Sequence, residues 1–267
     1  MSVVPVRATH SDKAEMTTQL LFGEIFTILQ TSENQKWLEI HIYHDNYVGW
    51  IDILQCTFVS EKYFKEYARR QANHKIFCGY TSLIQQKSTS RNYPIMITKG
   101  AVIPFLKPFK GEIYEDFTID RGIYSSVGLV FYDKVKETNN NFLRNKTIKN
   151  AFEYLHTPYL WGGRSVFGID CSGLIQQVFR SVGYYLPRDA YQQAEEGKLV
   201  NFDAKKQGDL AFFIRENKII HVGIVLEDNK IIHARGQVRI DTLTETGILN
   251  ENTNEYSHYL AFLKRIL

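Results

Sequence analysis

The sequence predicts a multidomain chain, with two small all-β barrels followed by an α+β domain. Three observations carry this expectation. The first half alternates short apolar runs with polar turns, the pattern of small barrels. The second half opens on helical periodicity and ends in strand-like runs, the order of an α+β domain. The 267 residues include 17 Phe and 16 Tyr against only 6 Pro and 17 Gly, which suits strand-rich folds with a sizeable core. The expected pieces are 1–58, a linker helix over 59–74, a second barrel over 75–135, and a final domain over 142–267.

In the first piece, Leu20 to Leu29 reads as one strand-like run, followed by the polar stretch Thr31-Ser-Glu-Asn-Gln35. Trp37 to Ile42 forms the next strand, Asp45-Asn46 a turn, and Tyr47 to Ile51 a further strand. Ser60 to Asn73 reads as a charged amphipathic helix with Tyr63, Phe64, Tyr67 and Ala68 on one face. Strand-like runs return at Tyr93 to Ile97, Ala101 to Phe105 and Ser126 to Phe131. The polar run Lys136 to Asn141 reads as a linker. Beyond it Phe142, Ile148, Ala151, Phe152 and Leu155 predict a helix that ends at His156-Thr-Pro158.

A loop rich in glycine and aromatics, Thr157 to Asp170, then leads into a helix marked by Leu174, Ile175, Val178, Phe179 and Val182. Gly183 stands where a left-handed cap belongs, and Asp170 where the N-cap belongs. Leu186 to Gln193 reads as a loop entering another helix. Three strands follow, Asp209 to Ile214, Ile219 to Leu226 and Lys230 to Ala234.

Net charge is +3, without a basic cluster dense enough for nucleic acid. No stretch has the length of an apolar membrane span, and no basic region followed by an apolar run marks a leader. Cys56, Cys78 and Cys171 are too few for a disulfide framework. A reducing cytoplasm is therefore expected, with an exported protein shorn of its leader as the alternative.

Cys171 would be the first residue of its helix, where the positive end of the macrodipole favours thiolate. The competing reading is a small buried hydrophobe. A nucleophilic cysteine needs a base and a group to orient that base. His221 lies on a strand face kept open by Gly223. A two-residue turn at Asp228-Asn229 would put His221 and His233 on opposite faces. A three-residue loop, Glu227 to Asn229, would instead pair Gly223 with His233 and make the two histidines diagonal neighbours. The catalytic reading requires that odd loop. A zinc site from Cys171, His221 and His233 is the alternative, although the usual ligand spacings are absent. The remaining histidines, His258 among them, read as ordinary polar residues. The aromatics before Gly162-Gly163 read as a pocket wall or as core.

The motifs Pro158-Tyr-Leu-Trp-Gly-Gly163, Asp170-Cys-Ser-Gly173, Leu186-Pro-Arg188, Gly208-Asp-Leu210, His221-Val-Gly-Ile224 and Ile232-His-Ala234 occur in an order that resembles the NlpC-type papain-like cysteine peptidases. The first piece, with its Gly49-Trp-Ile51 ending, is similar to bacterial SH3-like domains, and the second is expected to be a divergent copy. The resemblance implies that Cys171 is the nucleophile, His221 the base and His233 its orienter. Two SH3-like domains before the catalytic one resemble the γ-D-glutamyl-L-diamino-acid peptidases of murein recycling. That likeness implies substrate contacts from Glu15 and Tyr47 in the first domain and from Asp189 after Leu-Pro-Arg. Where the group often carries serine next, this chain has Ala190. Tyr159, Trp161, Asp170, Ser172 and Arg188 would complete the substrate site.

The implied substrate is a murein-derived peptide, L-Ala-γ-D-Glu-diamino acid (meso-diaminopimelate or L-Lys), whose free L-Ala ammonium pairs with carboxylates. No metal or organic cofactor is implied, and a monomer is expected. The other classes are a wall-binding protein and a related amidase or acyltransferase on the same fold.

Overall fold

The computed structural model describes residues 1–70, 74–86, 94–104, 114–119, 122–127, 129–132, 139–250 and 253–267. The chain divides into two compact units, Met1–Asp133 and Lys134–Leu267.

In the first unit, β1 (Val3–Arg7), β2 (Met16–Leu21), β3 (Phe26–Thr31), β4 (Trp37–Ile42) and β5 (Val48–Asp52) form one antiparallel sheet in the order β2-β1-β5-β4-β3. It wraps a core of Val6, Leu20, Leu38, Ile40, Ile42 and Ile51. The Leu20 to Leu29 run is two strands rather than one. Gly23 takes a left-handed φ of 80°, and the Leu21 N–H donates to the Glu24 carboxylate at 2.9 Å, so the chain turns between β2 and β3. Apolar content alone did not show that break.

Helix α1 (Glu61–Arg69) starts at Ser60, whose side chain accepts from the Tyr63 N–H, and it buries Tyr63 and Tyr67. The linker reading beyond Arg70 falls partly on residues 71–73, outside the described residues. Next come β6 (Lys75–Ile76), β7 (Thr81–Gln86), β8 (Pro94–Thr98), β9 (Val102–Ile103), β10 (Tyr114–Ile119) and β11 (Gly122–Val127). Four of them make a sheet in the order β10-β11-β7-β8, and β6 pairs with β9. Strand-rich structure is thus present where it was expected, although Tyr93, Phe105 and Gly128 lie outside the described residues.

The second unit opens with α2 (Asn140–Phe152), capped by the Asn139 side chain on the Asn141 N–H. The end of the expected linker is therefore the first helical turn, and residues 136–138 lie outside the described residues. Its buried face also differs from the apolar reading. Phe142 and Phe152 are exposed, while Leu143, Arg144, Thr147, Asn150 and Ala151 are buried. The reason is an ion-pair knot. Arg144 reaches Asp209 at 3.4 Å and the Leu267 main-chain oxygen, and Arg265 grips Asp209 at 2.8 and 2.7 Å. Asp209 of the Gly-Asp-Leu motif is a structural anchor.

Two short strands, β12 (Arg164–Ser165) and β13 (Gly168–Ile169), precede α3 (Cys171–Arg180), and α4 (Ala190–Gln193) follows it. The sheet is built from β14 (Lys198–Val200), β15 (Leu210–Arg215), β16 (Lys218–Val225), β17 (Lys230–Arg235), β18 (Gln237–Leu243), β19 (Gly247–Asn250) and β20 (Glu255–Arg265). Its order is β14-β20-β15-β16-β17-β18-β19, and β19 also pairs with β20, so β15 to β20 close into a barrel. One face of the wall, with Leu210, Phe212, Val222, Ile224 and Ile232, packs on Leu174, Ile175, Val178 and Phe179 of α3. The other, with Ala211, Phe213, Val225, Ile231, Leu243 and Leu263, fills the barrel. Each α3 apolar side chain that reaches zero exposure contributes about 1.5–3 kcal/mol. That packing fixes the helix start against β16.

Candidate active site

The loop into α3 is held by main-chain contacts. The Tyr159 N–H donates to Gly236 O at 2.9 Å, and the His156 N–H to Val238 O at 2.9 Å, so the loop runs beside β18. The glycine pair is required by geometry. Gly162 has a left-handed φ of 76°, and a Cβ on Gly163 would stand 2.4 Å from Gly168 O.

Asp170 is the N-cap of α3, as its position predicts, accepting from the Gly173 N–H at 2.7 Å. The same carboxylate accepts from the Gly162 N–H at 2.9 Å, the Ser172 hydroxyl at 3.3 Å and Arg188 at 3.0 and 2.6 Å. Arg188, which is 1% exposed, also donates to Ser172 Oγ at 2.8 Å. The sequence reading aimed Asp170, Ser172 and Arg188 at substrate; their polar atoms bond one another, because a buried carboxylate needs a partner and this one has a two-pronged cation. Gln193 ties the Pro-Arg loop to the helix by donating to Ser172 O and Pro187 O at 3.0 and 2.8 Å.

Cys171 is buried, and its sulfur meets the N–H groups of Val222 and Ser172. The Val222 N–H is free to do this because the β16–β17 ladder stops at Gly223–His233, while β16 runs on through Val222 and His221. The sulfur is thus anchored on the residue that follows His221 in β16. The expected lowering of the thiol does not hold in the resting chain. Burial, then the Asp170 carboxylate, push Cys171 up to about 12, outweighing the two N–H groups and Arg188. Tyr159 stands half-buried beside it, its phenol raised by burial and by the charges of Cys171 and Asp170.

The hairpin register is the one the catalytic reading requires. Gly223 pairs with His233, the Leu226 N–H donates to Lys230 O, and Asp228 and Asn229 both adopt left-handed φ, at 53° and 54°. His221 Nε2 lies 2.8 Å from His233 Nδ1. Alternation along β16 puts His221 on the barrel face with Gly223 and Val225, opposite Phe213. A side chain on Gly223 would meet Ile231 at 2.7 Å and the His233 Cβ at 3.0 Å.

Two participants escaped sequence reading. Asp241, fully buried on β18, has Oδ2 3.0 Å from His233 Nε2 and accepts from Arg239 at 2.7 Å on Oδ1. Gly236, with its left-handed φ of 70°, held the signal for it. Its tight turn pairs Arg235 with Gln237 and so sets Asp241 diagonal to His233. His258 of β20 stacks on His221 with ring centroids 4.1 Å apart and planes 17° apart, contrary to its reading as an ordinary polar residue. That contact depends on barrel closure, which no local pattern announced.

Burial pulls His221 well below the ordinary histidine value, helped by His233, His258 and Arg235. His233 is also lowered, by burial against the opposing pull of Asp241. His258 falls to about 4 through burial and neighbouring His233, Arg235 and Arg215. Burial works to raise Asp241, but hydrogen bonds from His233 and Arg239 hold it below the usual carboxylate range. The result is a neutral imidazole pair ending on an ionised carboxylate. Zinc ligation fits poorly, since three of the four nitrogens of the pair's rings are spent on each other and on Asp241.

Of the other predicted residues, Trp161 is 60% exposed on the loop and Asp189 is half-buried, its N–H donating to Gln192 Oε1 at 3.1 Å. Glu15 and Tyr47 belong to the first unit. Arg7, the last residue of β1, pairs with Met16 and Trp50, so Glu15 and Tyr47 share one end of that barrel.

The bacterial dipeptidyl-peptidase SH3 domain matches residues 6–54, and the NlpC/P60 family matches residues 156–256. The γ-D-glutamyl-L-lysine dipeptidyl-peptidase of Bacillus subtilis (strain 168) is 30% identical over 243 residues, covering 86% of this chain and 76% of that protein. This chain belongs to the NlpC/P60 family. As an NlpC/P60 member it is a cysteine peptidase, with an SH3-like domain ahead of the catalytic one. Dipeptidyl-peptidase 6 of Lysinibacillus sphaericus is 25% identical over 252 residues, covering 87% of this chain and 86% of that one. In fold, the chain is similar to an NlpC/P60 family protein from Bacillus cereus ATCC 10987, with a TM-score of 0.81 at 19% identity over 99% of this chain and 97% of that one.

Proposed function

We propose that this NlpC/P60 peptidase cleaves the bond between γ-D-Glu and the diamino acid of murein stem peptides that carry a free N-terminal L-Ala, releasing L-Ala-D-Glu. The observation that carries the substrate class is the 30% identity to a γ-D-glutamyl-L-lysine dipeptidyl-peptidase across most of both chains, the SH3-like domain included.

Cys171 attacks the γ-carbonyl as its proton passes to His221. Both groups rest neutral, so the proton moves with the attack instead of beforehand. The carbonyl oxygen becomes an oxyanion, facing the Cys171 N–H at the helix start, with the Tyr159 hydroxyl nearby. Collapse of the tetrahedral intermediate expels the diamino-acid amine, which takes the proton from His221. Water, deprotonated by His221, then cleaves the thioester and restores the thiol. Asp170 and Arg188 keep the loop, Ser172 and the helix start in register. Asp189 is the carboxylate of this unit assigned to the free ammonium end, a pairing that wall-linked L-Ala cannot make. Trp161 offers an aromatic wall at the loop tip. Three free thiols suit a reducing cytoplasm, where shed wall peptides are recycled.

The test is incubation with L-Ala-γ-D-Glu-meso-diaminopimelate, the L-Lys peptide and their N-acetylated forms, with Cys171→Ala as control. Release of L-Ala-D-Glu from the free-amine peptides alone is expected. Equal rates on the acetylated forms would remove the free-amine assignment, and no release from any peptide would remove the substrate class.

A further inference from the structure

We propose that Asp241 is a positioning residue that fixes the tautomers of His233 and His221, leaving Nδ1 of His221 as the nitrogen that accepts a proton. This rests on the reading that Cys171 and His221 perform the chemistry.

Asp241, His233 and His221 form one hydrogen-bonded line. An ionised carboxylate only accepts, so His233 must present Nε2–H to Asp241 Oδ2 across 3.0 Å. A neutral His233 then has a bare Nδ1, which accepts Nε2–H from His221 across 2.8 Å. His221 in turn has its lone pair on Nδ1. One charged group at the end of the line decides the state of a nitrogen two residues away. Asp241 suits this role because its two oxygens have separate partners, Oδ2 the histidine and Oδ1 an arginine. It is fully buried, and its other oxygen is taken by Arg239, which also donates to Asn250 Oδ1 at 3.3 Å. When Nδ1 of His221 takes up a proton, the new positive charge is met through His233 by the carboxylate.

Asp241→Asn tests the idea because Arg239 orients the amide. The guanidinium donates to the Oδ1 position, so the amide oxygen stays there and the NH2 faces His233 Nε2. That nitrogen must then accept, which reverses both tautomers and puts a proton on Nδ1 of His221. In wild type, 15N spectra of histidine-labelled protein should show His221 and His233 protonated on Nε2 and bare on Nδ1. In Asp241→Asn the pattern should reverse, with kcat on the free-amine peptide falling on the order of 10³–10⁴ and KM changing little, as expected for a base in the wrong tautomer. Alkylation of Cys171 by iodoacetamide, followed on its own peptide, should slow more than tenfold. The spectra and the alkylation need no substrate, so they stand even if the peptide assay fails. Wild-type rings protonated on Nδ1, or a folded variant with unchanged spectra, would overturn the proposal. So would a variant with wild-type alkylation.

Discussion

Arg188 grips Asp170 with both ends of its guanidinium, Nη1 on Oδ1 at 3.0 Å and Nη2 on Oδ2 at 2.6 Å, inside the unit that carries the cysteine. The pair is what allows a charged N-cap to be buried at the start of α3. Removing the cation leaves a buried carboxylate beside the thiol, so Arg188→Ala should cost about 3–5 kcal/mol in urea unfolding. Arg188→Lys keeps the charge but has no fork, so it should fall between that variant and wild type. An Arg188→Ala protein as stable as wild type would refute this account.

The glycine at 163 should be intolerant of a single methyl group. Its Cβ would stand 2.4 Å from Gly168 O and 2.8 Å from Leu160 O, both main-chain atoms that cannot step aside. Gly163→Ala is expected to cost about 1–3 kcal/mol and to lower kcat/KM at least roughly tenfold through the displaced Tyr159. Steady-state kinetics beside thermal melting check both parts.

At Asp209 the expectation is a large loss of stability with the chemistry spared. Its carboxylate meets Arg144, Arg265 and the Lys206 N–H. Asp209→Ala leaves Arg144 buried without its counter-charge and should cost about 3–5 kcal/mol. At a temperature where the variant is still folded, kcat should stay close to that of wild type. A collapse of kcat in folded protein would assign Asp209 a different role.

Acidification should weaken the fold through the histidine cluster. His258 titrates near ~6.5 in the unfolded chain and at about 4 in the folded one. Between those values the unfolded chain holds more protons, so stability falls as pH drops through that window and levels off below it. The lowered His221 and His233 act in the same direction. His258→Phe keeps a ring against His221 but cannot titrate, so its urea midpoint should fall less steeply between pH 6.5 and 4. The acid limb of kcat/KM should lie below the ordinary histidine value, since His221 itself is lowered.

Where local pattern determines geometry, the sequence was readable. Asp170 as N-cap, Gly183 with its left-handed φ of 91° and the three-residue loop that sets His233 against Gly223 all follow from short-range rules. Asp241 and His258 did not emerge, because their contacts come from β18 and β20 lying beside strands distant in sequence. The buried face of α2 was misread for a similar reason, since Arg144 is drawn inward by Asp209 and Leu267. The thiol shows a contest of magnitudes. A helix start lowers a cysteine, but full burial next to a carboxylate raises this one further.

The closing of β20 onto both β15 and β19 also sets an order of events in time. As the polypeptide leaves the ribosome, Cys171 and its helix emerge first, then His221, His233 and Asp241, and the strand that bears His258 and Arg265 comes after them all. Until that strand docks, the barrel has an open seam, the base has no stacking partner and Asp209 lacks its stronger cation. Docking of β20 is thus the one step that completes both the surroundings of the base and the Asp209 anchor.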